Sequence, residues 1–137
     1  REAGLIMKPP GRTPNTLYAL EATEYAQQQG KFLDFHHAAY KAFWEDCKDL
    51  GELEVLHKVA HEVGLNADEM VKSLEEKTYS EIVMNQYQEA LKYGISGIPT
   101  FLVGNLLFTG AHPYNVFKSA MERYLTEGVP RATEVEC

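Results

Sequence analysis

Cysteine is almost missing from this sequence: two residues in 137, Cys47 and Cys137, the second being the last of the chain. Two thiols so far apart form no disulfide framework, no C-x-x-C and no zinc pattern, and such sparing use suits a cytosolic protein. Positive charge is scarce as well. Thirteen Lys and Arg stand against twenty Asp and Glu, a formal net charge of -7. That balance argues against a nucleic-acid partner and leaves no basic patch for a membrane surface. No apolar run approaches the roughly 18 to 20 residues a membrane span needs, and the opening residues do not read as a signal peptide. There is no Gly-rich phosphate loop, no Ser nucleophile elbow, no internal repeat and no low-complexity segment. The chain opens on Arg1 rather than Met, and processing removes Met only before small residues. The chain is therefore expected to be a piece of a longer protein.

What is present is enough for a real core: 45% hydrophobic residues and 11% aromatics, in a length that suits one domain or part of one. Residues 1–12, with two prolines and two glycines, read as an irregular lead-in. Helical patterns then run almost without break to Tyr93. The first is expected to start with Thr13 as N-cap and Pro14 at the first helical position, and to stop at Gly30. Its apolar stripe is Leu17, Leu20, Thr23 or Glu24, and Gln27. The second presents Phe32, Phe35, Ala39, Tyr40 and Phe43 at helical spacing, a strong core face. A third runs from Glu52 to Val63 with Leu53, Leu56, Ala60 and Val63 inward. Asn66 and Glu69 form a capping box that opens a fourth, to about Glu76. A fifth spans about Tyr79 to Tyr93 and ends at Gly94.

After Gly94 the period changes from helix to strand. Thr100–Val103 and Leu106–Thr109 read as two short strands joined by Gly104-Asn105, a two-residue hairpin loop suited to positive φ. Neither strand alternates cleanly, so both faces are expected to be covered. Pro99 begins the first strand, a place where its missing N–H does no harm. From Pro113 a last helix turns Val116, Phe117, Ala120 and Tyr124 inward. The tail from about Thr126, charged and holding Pro130, is expected to be mobile. A lone hairpin is marginal, so this sheet is expected to lack a strand.

The candidate chemical groups are few. His57 and His61 stand four apart on one helix, a spacing that lets two imidazoles share a metal. The zinc-protease pattern needs Glu after the first His as general base, and Lys58 occupies that place, so both read as surface histidines. Of His36 and His37, one is expected to pack its ring against the core and the other to be exposed. Asp46, Asp49, Glu75 and Glu76 read as solvated faces and helix ends. Cys47, at the end of the stretch AFWEDCKDLG, reads as an inert, partly buried thiol. No metal site and no cofactor site emerges.

GISGIPTFLVGN followed by LLFTGAHPYNVF resembles the region around the cis-proline loop of the DsbA-like thioredoxin-fold family, and specifically its FrnE-like branch. RTPNTLYAL is similar to that branch's entry into its helical insertion. FTGAHPYNVF is similar to its SGAQP turn into the last helix, with His112 where Gln is usual. The resemblance implies an α/β, thioredoxin-like fold of the DsbA type with an all-helical insertion. This chain would be mostly α with one β-hairpin, its N-terminal β-α-β unit missing. Residues 13–93 would be the insertion that shapes the wall of the cleft, residues 94–126 the C-terminal half of the thioredoxin-like domain, and residues 127–137 the tail. It implies part of a thiol–disulfide oxidoreductase, with a cis Ile98–Pro99 bond and with Ile98 and Pro99 contacting a protein or small thiol/disulfide substrate by strand addition. The family's C-x-x-C lies in the missing unit, and neither Cys47 nor Cys137 matches it, so no catalytic residue carries over. The expected partners are a second copy of the chain or the missing N-terminal segment. Two alternatives remain. One is the related 2-hydroxychromene-2-carboxylate isomerase or kappa-type glutathione transferase group, whose acidic-basic pair after the hairpin is not seen in TGAHPYNV. The other is a non-catalytic binding or assembly module.

Overall fold

Small residues decide how closely the first helix meets its neighbours. In the computed structural model, which describes residues 4, 6–8 and 11–127, α1 (Leu17–Gln28) buries Ala22 and Ala26 completely and Tyr25 nearly so. The alanines let α2 (Phe32–Trp44), α3 (Leu53–Glu62) and α4 (Ala67–Glu75) pack against it. The expected stripe of Leu17 and Leu20 is thus corrected: both are exposed, Leu20 by 50%. The start is corrected as well. The helix opens at Leu17 rather than after Thr13, because Asn15 Oδ1 accepts the Leu17 N–H at 3.1 Å and ends the preceding loop.

In α2 the buried positions are Phe35, Ala39 and Ala42, with Phe43 half-buried beside them. Phe32 and Tyr40, expected in the core, are exposed. They share a second face of the same helix with His36, whose ring stacks on Phe32 at 5.7 Å and tilts against Tyr40 at 4.4 Å. His36 therefore packs on surface rings rather than on the core, and His37 is exposed. Leu56, Val59 and Ala60 of α3 meet Met70 and Leu74 of α4 to complete the core. Asn66 caps α4 as expected, its Oδ1 accepting the Glu69 N–H at 3.2 Å. Where α4 ends, Lys77 takes a left-handed φ of 57°, and Thr78 N–H reaches back to Ser73 O.

Two compact units share the chain and divide between Tyr87 and Gln88, inside α5 (Ser80–Lys92). The beginning of α5 and the residue before it are held to α1 by a polar seam at helical spacing. Glu21 accepts from Ser80 Oγ, Glu24 from Gln86, and Gln28 from the Tyr79 hydroxyl. Tyr25 and Tyr79 meet edge to face at 6.3 Å. Burial holds both phenols above their ordinary pKa, and the nearby Glu69 carboxylate pushes the same way.

The second unit is a hairpin with a helix on it. β1 (Thr100–Val103) pairs antiparallel with β2 (Leu106–Thr109), with Phe101 opposite Phe108 and Val103 opposite Leu106. Gly104 has φ 62°, at the first of the two loop positions where a primed turn requires it. A Cβ there would stand 2.6 Å from Tyr124 Cδ2, so the loop also needs glycine for close approach. Tyr124 belongs to α6 (Tyr114–Glu127), which turns Val116, Phe117 and Ala120 inward as its pattern predicts. Phe117 sits edge-on to Phe101 at 4.7 Å and to Phe108 at 5.4 Å. Cover on both faces was the expectation for these strands, and among the described residues only this face has it. Leu102 is 51% exposed, and Leu107 is exposed too. Thr126 and Glu127, where the mobile tail is expected to begin, belong to α6, and the rest of that tail, including Cys137, lies outside the described residues.

Candidate functional site

Gly94 ends α5 in the left-handed region at φ 73°, with Ile95 N–H bonded back to Ala90 O. The chain that leaves this cap reaches β1 through Ser96, Gly97, Ile98 and Pro99. The Ile98–Pro99 peptide is cis. Ile98 is 94% exposed, and its N–H and C=O make no hydrogen bond to the described residues. Ile98 thus sets an apolar side chain in water beside backbone groups that have no partner among the described residues, in the bend just before β1.

The residues on either side of Ile98 are tied down. Pro99 O accepts the Gly110 N–H at 2.8 Å. Thr100 Oγ1 donates to Gly97 O at 2.6 Å and lies 3.1 Å from Thr109 Oγ1, its partner in register. Below them the stack of Phe101 on Phe108, 5.5 Å between ring centres, rests on Phe117. The loop thus holds one free residue between fixed neighbours. Pro99 and Ile98 were singled out from sequence. Gly110, Thr100 and Thr109 were not, although the two-residue turn by itself implies that Thr100 faces Thr109. A shallow groove of about 440 Å³ runs between β2 and α6, lined by Leu106, Phe108, Val116 and Ala120 together with Asn115, Ser119 and Arg123.

The other candidates gain little from the fold. His57 Nε2 sits 2.9 Å from Asp68 Oδ1, linking α3 to the first turn of α4, while His61 is exposed. Among the described residues no group of three or more His, Cys, Asp and Glu is placed to hold a metal ion, and no helix is long and apolar enough to cross a membrane. Cys47 corrects an expectation. It is exposed rather than partly buried, because α2 already ends at Trp44 and Cys47 turns outward at φ 55°. A shallow depression beside it is lined by Arg12, Lys48 and Asp49.

The DSBA-like thioredoxin domain pattern matches residues 2–122 of the chain. Uncharacterized protein YwbO of Bacillus subtilis (strain 168) is similar at 30% identity over 112 residues, covering 79% of this chain and 54% of that protein. The chain therefore spans about half the length of that curated relative.

Proposed function

The chain belongs to the DSBA-like thioredoxin domain family, and from that premise we propose that it is the substrate-binding part of a thiol–disulfide oxidoreductase of the FrnE-like kind. Its role is to hold an extended thiol- or disulfide-bearing segment against Ile98 and Pro99. The observation that carries this reading is the free backbone of Ile98, exposed beside the anchored carbonyl of Pro99. An extended segment laid there gains main-chain hydrogen bonds by adding a strand, and the Ile98 side chain offers it apolar contact.

Sulfur exchange needs a thiolate that attacks, a second thiol that releases the mixed disulfide, and access for both. Cys47, exposed on the helical unit, has no second cysteine beside it among the described residues. In this reading the dithiol belongs to polypeptide beyond these 137 residues, and the chain contributes binding rather than the sulfur chemistry. A cytoplasmic location accords with the sparse cysteine. The proposal extends to assembly: the edge of β1 that does not face β2 takes a further strand, from a second copy of the chain or from a segment N-terminal to it.

A titration of the isotope-labelled chain with a Val- and Thr-rich peptide carrying one S-methylthio cysteine tests the site. The expected result is amide shift changes centred on Gly97, Ile98 and Thr100, abolished when Ile98 is replaced by Asp. Changes confined to the helical unit, or none at all, would refute the assignment.

A further inference from the structure

We propose that His112 is a positioning residue for the Ile98–Pro99 loop and that it acts through a single peptide group. The inference rests on the reading of that loop as the binding segment. Two contacts define it. His112 Nε2 lies 3.1 Å from Thr109 O, and Gly110 N–H donates to Pro99 O at 2.8 Å. Thr109 C=O and Gly110 N–H are the two ends of the same peptide unit. One side is held by the imidazole and the other holds the carbonyl of Pro99.

The carbonyl can only accept, so Nε2 carries the hydrogen in this contact, as it can in the neutral ring and does in the cation. Donation into the Thr109 carbonyl polarises the amide and strengthens the hydrogen bond made by its N–H, by about 10 to 30% for a chain of this kind. It also fixes the plane of the peptide. That plane would otherwise be loosely set, because Gly110 has φ 105° and no side chain. The His112 ring is itself held edge-on to Phe108 at 5.7 Å, and Phe108 is fixed by Phe101 and Phe117. Orientation thus passes from the aromatic stack to the imidazole, to the 109–110 peptide, to Pro99 O, next to the free backbone of Ile98. A partner strand binding there meets a preset anchor instead of one it must order on arrival.

His112 also packs on Phe108, so the test separates donation from packing. His112→Leu keeps an apolar side chain and removes the donor, whereas His112→Gln restores a donating N–H. Amide hydrogen exchange in the full chain is read at Gly110, with Phe101 and Leu106, whose amides face the opposite strand in the ladder, as controls. Binding of the S-methylthio peptide is read in parallel. In His112→Leu, Gly110 exchange is expected to quicken about tenfold with the control amides unchanged, in line with loss of one net hydrogen bond. Peptide affinity is expected to fall about three- to tenfold on the same scale. His112→Gln should recover both. Unchanged Gly110 exchange in His112→Leu, equal quickening at Phe101 and Leu106, or no recovery in His112→Gln would each overturn the proposal. A wild-type chain that binds no peptide at Ile98 would instead sink the binding reading, while Gly110 exchange still decides whether His112 holds the peptide.

Discussion

Glu21 is the residue whose surroundings contrast most with its chemistry. It is 1% exposed, and among the described residues only one of its carboxyl oxygens has a partner: Oε1 accepts from Ser80 Oγ at 2.5 Å, while Oε2 has none. A carboxyl group buried with a single hydrogen bond depends heavily on that bond, since desolvation has already removed its water. Ser80→Ala leaves both oxygens unpaired and should lower stability by about 1 to 3 kcal/mol. Ser80→Thr, which retains the hydroxyl, should cost less. Urea unfolding followed by the near-ultraviolet signal of Tyr25 and Tyr79 measures the difference. Equal stability of Ser80→Ala and the parent chain would mean that Glu21 is served by another group.

Among the elements, the hairpin loop combines two demands on one residue. Gly104 takes a left-handed φ and lies against the Tyr124 ring of α6. The left-handed conformation alone costs an L-residue about 1 to 2 kcal/mol, and a methyl group at 2.6 Å from Cδ2 must also displace the ring. Gly104→Ala should therefore destabilise the hairpin and α6 together, by more than the backbone term alone. Adding Tyr124→Ala to it should recover the steric share and leave the backbone share, which a double-mutant cycle reads directly. A cycle with no coupling would place the ring away from the loop in solution.

The whole molecule contains two units of different completeness. Four helices enclose the core of the first, from Ala22 through Phe35 and Leu56 to Leu74. The second has one helix on a two-stranded sheet, with Leu102 and Leu107 exposed on the face away from Phe117. A hairpin of this size is marginal on its own, and its free edges can template pairing with another chain. The proposed assembly through β1 predicts that the purified chain self-associates as its concentration rises through the micromolar range, with the outward amides of Thr100 and Leu102 gaining protection. Light scattering and hydrogen exchange follow both. A constant monomer mass with Thr100 and Leu102 amides unprotected would contradict it.

The features that the sequence by itself determined are the local ones. Gly30 and Gly94 stop helices, Asn66 caps one through Glu69 N–H, and a two-residue loop pairs Thr100–Val103 with Leu106–Thr109. Each depends on backbone chemistry within a few neighbouring residues, as does the inward set of α6, read from its period. The family resemblance likewise singled out Ile98 and Pro99, whose loop is built between adjacent elements. Tertiary structure decided the rest, because those outcomes depend on partners distant in the chain. Leu17 and Leu20 lost the buried face of α1 to Ala22 and Ala26, since close approach to α2 and α4 favours small residues over long ones. Glu21 is buried because Ser80 arrives from α5 to meet it. The same holds at the site. Nothing in the spacing of Pro99, Gly110 and His112 announces that one peptide group links the three, and only the folding of the hairpin end against β1 brings Gly110 N–H to Pro99 O.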